Sequence, residues 1–361
     1  MKNNNRSARD MNWLRITALA GACALATPAQ ALQLNIYGVG HVSADSVDNG
    51  TDSESFIASN SSRLGFRGNH ELGNGLAAVF QYEAGVDLTG QGGNDGNGAA
   101  AGSTSDIFTA ARDSYAGLSG GFGSVVAGKV GGLNQWLYDY NLFGDQVGDL
   151  GNVWGGSGLP GRVTDALQYQ TPNVGGLSLG LTYVPDEDAD VSEDVIIAKA
   201  DYATGGLNLG GAYTQLGQDD PVNDDDWTVV AVTASYGFDR FTVGGGLQSE
   251  TDIGGVSGAD RSSYTVGASA KVGANGLWKA QYATSDHDND DQDASQIAIG
   301  YDHAVNDYTT VYAAYAAVDN DDAAAITANN YGHGDAVTPA LGKDPSAFSL
   351  GIVIKFDAGL I

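Results

Sequence analysis

The sequence predicts an all-β chain, a transmembrane antiparallel β-barrel of about 16 strands, and three observations predict it. Apolar and polar residues alternate with a period of two through segment after segment. The links between those segments alternate between short, acid-poor turns and long, acidic loops. The first 31 residues have the form of an export signal rather than of a membrane anchor.

The export segment begins with Lys2, Arg6, Arg9 and Arg15, continues through the apolar run 16–26, and ends on an A-x-A cleavage site at Ala29-Gln30-Ala31. The run is well short of the roughly 20 residues that a spanning helix requires. The expected organisation is therefore a signal peptide, 1–31, and one barrel domain, 32–361. Cys23, the single cysteine, falls in the signal segment. The mature chain then has no disulfide, no thiol nucleophile and no cysteine metal site.

Removing residues 1–31 takes four basic residues from 16 and one acid, Asp10, from 44, leaving 12 Lys+Arg against 43 Asp+Glu, a formal charge of −31. Such a surface repels nucleic acid. Disorder is the first alternative for so acidic a chain. Yet the sequence holds 17 Tyr and 10 Phe, and its acids cluster between the apolar stretches, which argues for an ordered fold.

The alternation is explicit in particular strands. Leu177, Leu179, Leu181 and Tyr183 share one face against Ser178, Gly180 and Thr182. Trp278 and Tyr282 oppose Lys279 and Gln281; Phe348, Leu350, Ile352, Ile354 and Phe356 oppose Ser349, Gly351 and Lys355. A soluble β-sandwich alternates in the same way, so the links decide. Short ones include 73–75, 204–206, 236–239 and 273–276; between them fall acidic stretches at 45–55, 88–106, 130–161, 185–193, 216–226, 251–260, 286–293 and 318–345. Short turns at one end and long loops at the other are the pattern of outer-membrane barrels. Aromatics near strand ends (Phe80, Tyr82, Tyr213, Trp227, Tyr236, Tyr282 and Tyr301) read as interfacial girdles.

Three stretches go beyond generic barrel chemistry: Ser62-Arg63-Leu64-Gly65-Phe66-Arg67-Gly68 with its continuation to Glu83, Arg112-Asp113-Ser114-Tyr115-Ala116-Gly117-Leu118 to Lys129, and Arg162 through Tyr169-Gln170-Thr171-Pro172-Asn173. Residues 34–184 resemble the general, non-specific outer-membrane porins of Gram-negative bacteria. The resemblance implies a 16-stranded barrel in the outer membrane, a homotrimer, and a third loop folded into the lumen as a constriction. It implies passive diffusion of ions and small hydrophilic solutes, no cofactor, and contact with outer-membrane lipid and lipopolysaccharide. The family's chains usually end on an aromatic residue of the last strand; here residues 357–361 follow Phe356. The familiar Pro-Glu-Phe-Gly-Gly segment of the third loop is absent.

Arg63 and Arg67 flank Gly65 at equal distance and share a face, opposite Leu64 and Phe66. A charge at the lipid midplane costs about 2–4 kcal/mol, so both arginines are expected in the lumen. By resemblance Arg63, Arg112 and Arg162 fall on the three constriction arginines, with Arg67 and Lys129 as further basic lining. Asp145 and Asp149, then Asp139, are the expected acidic lining from the third loop. Period two places Asp113 outward if Arg112 faces inward. With the loops carrying most of the acid, the charge balance predicts cation preference at low salt.

The chain is not expected to be an enzyme. Gly117-Leu118-Ser119-Gly120-Gly121 matches G-x-S-x-G but joins two strands instead of a strand and a helix. The five histidines show no triad or metal spacing, and the acidic run at 286–290 lacks the glycine and glutamate of an EF-hand. Weak divalent binding by the acidic loops is the most that this composition offers. Two alternatives stay open: a substrate-specific outer-membrane channel, and a plugged barrel serving as a structural element or adhesin.

Overall fold

The computed structural model describes residues 32–89, 108–132, 135–155, 158–186, 193–218, 222–288 and 290–360. The expected signal segment and most of the second long link, 88–106, lie outside the described residues. The strands are β1 (Gln33–Asp48), β2 (Ser53–Ser59), β3 (Arg63–Gly73), β4 (Leu76–Val86), β5 (Phe108–Ala111), β6 (Ser114–Gly120), β7 (Gly123–Gly131), β8 (Arg162–Gln170) and β9 (Leu177–Val184). They continue as β10 (Val195–Thr204), β11 (Leu207–Leu216), β12 (Trp227–Phe238), β13 (Phe241–Thr251), β14 (Arg261–Val272), β15 (Gly276–His287), β16 (Ala294–Asn306), β17 (Thr309–Asn320) and β18 (Ser346–Gly359).

These 18 segments form one antiparallel sheet of sixteen staves. β2 and β3 pair in succession with β1 and make one stave, interrupted at 60–62; β5 and β6 do the same along β4, interrupted at 112–113. β18 pairs with β1 from Asn35↔Gly359 to Asp48↔Ser346, which closes the barrel, so that no stave among the described residues is left as a sheet edge. The strand continues past Phe356 to Gly359, and the Leu360 amide donates to the Leu34 carbonyl at 2.7 Å.

The alternation is inverted relative to a soluble protein. In β12, Trp227, Val229, Ala231, Thr233 and Ser235 are buried toward the interior, while Val230, Val232 and Tyr236 are exposed outward. In β15, Lys279 and Gln281 face inward and Trp278 and Tyr282 outward; in β18, Ser349 is inward and Phe348, Leu350, Ile352, Ile354 and Phe356 outward. An apolar exterior around a polar interior is what a bilayer selects. At the short-turn end Tyr236 stacks on Phe238 and Trp278 lies 5.0 Å from Tyr301; toward the loop end Tyr82, Tyr213, Tyr264, Tyr315 and Phe348 are exposed. Trp227 departs from the girdle expectation, because its stave position points it inward under the third loop.

The short turns follow backbone chemistry. Asn74 and Gly75 between β3 and β4 both have positive φ, 55° and 75°, the requirement of a two-residue hairpin whose twist matches its strands. The first acidic link is tighter than the sequence suggests. β1 runs to Asp48 and β2 starts at Ser53, leaving 49–52 as a turn held by Asn49, whose carboxamide accepts from the Thr51 and Asp52 amides.

Two loops fold inward. Trp136, Leu137, Leu150, Val153 and Trp154 of the third loop are buried against Val130, Val163, Ile197, Trp227 and Val229. Phe143 and Val147 are buried against Ala298, Ala314, Ala316 and Val318, where small wall residues leave room for them. Full burial of such side chains contributes about 1.5–3 kcal/mol each. The last long loop, 321–345, also turns in: the Gly148 amide donates to the Ala328 carbonyl, and the Asn152 carboxamide accepts from the Asn330 and Tyr331 amides. Sequence reading anticipated the third loop alone.

Candidate functional site: a charged constriction

One half of the interior wall holds the third loop. Asp139 accepts from Lys199 of β10 at 2.7 Å and from Thr233 of β12 at 3.1 Å. Trp136 donates to Gln248 of β13, and Tyr140 donates to the Gly267 carbonyl of β14, at 2.6 and 2.7 Å. Lys279 and Gln281 of β15 engage Gln146 and the Leu142 amide, and Gln296 of β16 donates to the Gly148 and Asp149 carbonyls. Thus the polar faces of β10 and of β12–β16 are used largely to fix a loop.

The most buried of the charged anchors is an arginine–glutamate pair. Arg261 of β14 pairs with Glu250 of β13, its Nε 2.9 Å from Oε1, and their side chains are 1% and 0% exposed. The same guanidinium donates to the Val153 and Trp154 carbonyls at 3.3 and 2.6 Å, the C-terminal end of the short helix Gly151–Trp154. A cation belongs at that end, where carbonyls are left without helical partners. Gln248 completes the anchor by donating to both Glu250 and the Trp154 carbonyl.

The other half of the wall carries the expected arginines. Arg63 opens β3 and approaches Asp145 of the third loop, N···O 3.7 Å, with side chains 26% and 31% exposed. Arg112 bonds Glu83 of β4 at 2.5 Å and Arg162 of β8 bonds Asp113 at 2.6 Å. Tyr37 of β1 donates to Glu83 at 2.9 Å, and its ring lies over Gly65, where a Cβ would collide. The Arg67 guanidinium sits 5.0 Å above that ring and pairs with Asp357 of β18. A connected polar belt thus runs from β18 through β1, β3 and β4 to the break between β5 and β6.

Several expected positions need correction. Asp113 does not face outward: the 112–113 break resets the alternation, and its carboxylate meets Arg162. Asp149 does not line the lumen. It is 1% exposed and accepts from the Asn141 side chain and from the Asp145 and Gly151 amides, all at 2.7 Å, so it folds the loop upon itself. Burial, then the neighbouring Asp145, pushes its carboxyl up to about 7 despite those donors. Burial also raises Asp139, with Lys199 pulling the other way. Lys129 stands at the register irregularity between Gly128 and Val130, partly buried and without an ion pair to any described residue, so it does not join the cluster.

Tyr37, Glu83, Asp357 and the Arg261–Glu250 anchor escaped sequence reading. Glu83 and Glu250 were within reach, because period two sets them on the inner faces of β4 and β13 with Gln81 and Gln248. Asp357 was hidden by the expectation that the strand stops at an aromatic residue.

A closed barrel with an apolar exterior, a loop fixed inside it and ion pairs around the remaining wall defines an outer-membrane channel protein. Residues 17–323 match the model of the Gram-negative porin family, and the chain belongs to that family. It is 31% identical over 332 residues to outer membrane porin protein 32 of Delftia acidovorans, covering 87% of this chain and 90% of the relative. Its fold is similar to the anion-selective porin from Comamonas acidovorans, with TM-score 0.77, 28% identity, and 90% and 100% of the two chains covered. A Salmonella typhi OmpF structure shares the fold at TM-score 0.65 and 18% identity, covering 90% of this chain and 97% of that one. The protein is a porin of the Gram-negative outer membrane, and these relatives are channels, not enzymes.

Proposed function

We propose that the chain forms a water-filled diffusion channel for ions and small hydrophilic solutes, cation-preferring at low salt. The carrying observation is the pairing of the cations on the arginine wall and beneath the third loop. Arg63, Arg67, Arg112, Arg162 and Lys199 each have a carboxylate partner. Positive charge on the arginine wall is thereby offset within a few ångströms, and the carboxylates in excess set the field that an entering ion meets. Similarity to an anion-selective porin makes this the sharpest point of the reading.

The constriction lies between Arg63, Arg112 and Arg162 on one side and the third loop, with Asp145 at its tip, on the other. Arg67 extends the basic wall toward the short-turn end, and Asp139 borders the lumen from the loop. Asp149 acts by shaping the loop. The last long loop narrows the entrance by lying between the third loop and the β1–β2 wall, where His333 approaches Asp45 at 3.4 Å and the Gly334 amide donates to Asn60.

That second inward loop favours a plugged barrel as the second reading. Arg67 and Asp357, 50% and 42% exposed on the inner wall, support a lumen that water reaches. The working unit is a homotrimer in contact with lipid and lipopolysaccharide, after removal of residues 1–31; N-terminal sequencing of the membrane form is expected to begin at Leu32. Single-channel recording in planar bilayers separates the readings: open and ohmic for a diffusion channel, blocked by one solute for a specific channel, silent for a plug.

A further inference from the structure

Arg67 is the most water-exposed cation of the arginine wall, and its partner comes from the far side of the closure seam. Asp357 belongs to β18, beyond Phe356, in the part of the strand that pairs with the start of β1: Tyr37↔Asp357 and Asn35↔Gly359. On the other side of β1, Asn35 faces Arg67 and Tyr37 faces Gly65. Period two then puts Asn35, Tyr37, Arg67 and Asp357 on one inner face, and Arg67 reaches across β1 to Asp357. Asn35 donates to the other Asp357 oxygen at 3.0 Å, and the Tyr37 ring supports the guanidinium from below at 5.0 Å. Asp357 is therefore held by two donors, while Arg67 is fixed between a carboxylate and a π face.

The exposure of this pair decides what it is for. Ion pairs in contact with water contribute little to stability. Its charges nevertheless stand at the lumen surface, where passing ions feel them. If Asp357 were absent, Arg67 would present an uncompensated positive charge on the wall.

We infer that Asp357 is a selectivity-determining residue, which cancels Arg67 and so maintains the cation preference of the lumen at the short-turn side of the constriction. The inference rests on the channel reading above and adds to it a residue supplied by the strand beyond the aromatic position.

The test is the potassium-to-chloride permeability ratio of the full-length trimer, from reversal potentials at low salt, for wild type, Asp357→Asn, Arg67→Gln and the double variant. Asp357→Asn is expected to lower the ratio roughly twofold, the size of one unit charge acting across water at pore dimensions. Arg67→Gln is expected to raise it, and the double variant to return it near wild type. A purely structural pair would lower heat resistance in both single variants without opposite shifts in the ratio. Shifts of the same sign, or no shift in conducting channels, overturn the inference. Asn keeps the hydrogen-bonding shape of Asp; should Asp357→Asn fail to assemble, the sign of the Arg67→Gln shift decides. A wild type without conductance overturns the channel reading and this inference with it.

Discussion

Arg63 and Asp145 stand 3.7 Å apart with one on the barrel wall and the other on the loop inside it. The contact joins two elements 82 positions apart in the sequence, a basic residue of the wall and an acidic residue of the loop, and in the proposed channel it belongs to the constriction. Replacing Arg63, Arg112 and Arg162 with Ser removes three side chains and three positive charges. Cation preference and unit conductance are both expected to rise. Asp145→Asn is expected to lower cation preference, with unit conductance close to wild type. Reversal potential and single-channel conductance on the same samples check both directions.

Asp149 is expected to behave differently from Asp145. Its carboxyl is raised to about 7 by burial, above the value near 3.9 of an unfolded aspartate. A raised folded-state pKa means that its contribution to the loop fold is fully present below about pH 4 and is lost as pH rises through about 7. Current noise from third-loop motion is therefore expected to grow between about pH 4 and pH 7. Asp149→Asn, which mimics the neutral form, is expected to flatten that dependence. Noise power measured over the pH range in both proteins checks it.

The Arg261–Glu250 pair is fully buried, so removing one partner strands the other in a low-dielectric site. Arg261→Ala is expected to weaken the seat of the third loop by about 3–5 kcal/mol. The expected result is a channel with variable conductance sublevels and protease sensitivity within 135–155, while the barrel keeps its β-rich circular dichroism. Replacing both partners by residues of similar shape, Arg261→Met with Glu250→Gln, is expected to be milder than the single change.

Much of the architecture was legible because a bilayer imposes a simple rule. Period two assigned Trp278 and Lys279, or Phe348 and Ser349, to opposite faces correctly, since one side of each strand meets lipid and the other the barrel interior. The rule failed where the strand breaks. At 112–113 the interruption turns Asp113 inward, and no local residue pattern announces it. It also failed where a polar face meets a loop instead of water: Lys279 and Gln281 face inward as expected, yet they hold the third loop. Asp149 looked like a pore carboxylate because sequence does not reveal which loop acids turn back onto their own backbone. The inward course of 321–345 depends on pairings such as Asn152 with Asn330 and Tyr331, separated by nearly 180 positions.

The assembly is expected to be a heat-modifiable trimer. Unboiled samples should migrate in detergent gels as a larger species that collapses to the monomer on boiling. Asp357→Asn is expected to leave this behaviour unchanged, because an exposed pair contributes at most about 1 kcal/mol. Light scattering in mild detergent checks the mass, and a monomer would contradict the trimer while leaving the barrel intact.

Excess carboxylates, not the arginine wall, are expected to set ion preference. At about 0.15 M salt the Debye length is roughly 8 Å, comparable to a pore mouth, so the loop field reaches entering ions; at about 1 M it is roughly 3 Å and only the lining charges act. The direct measurement is the reversal potential of wild-type trimers in planar bilayers across a KCl gradient, taken first at low salt and then at high. The expected result is cation preference at low salt that weakens as salt rises. Anion preference at low salt would contradict it, and would show that the arginines dominate the field despite their paired carboxylates.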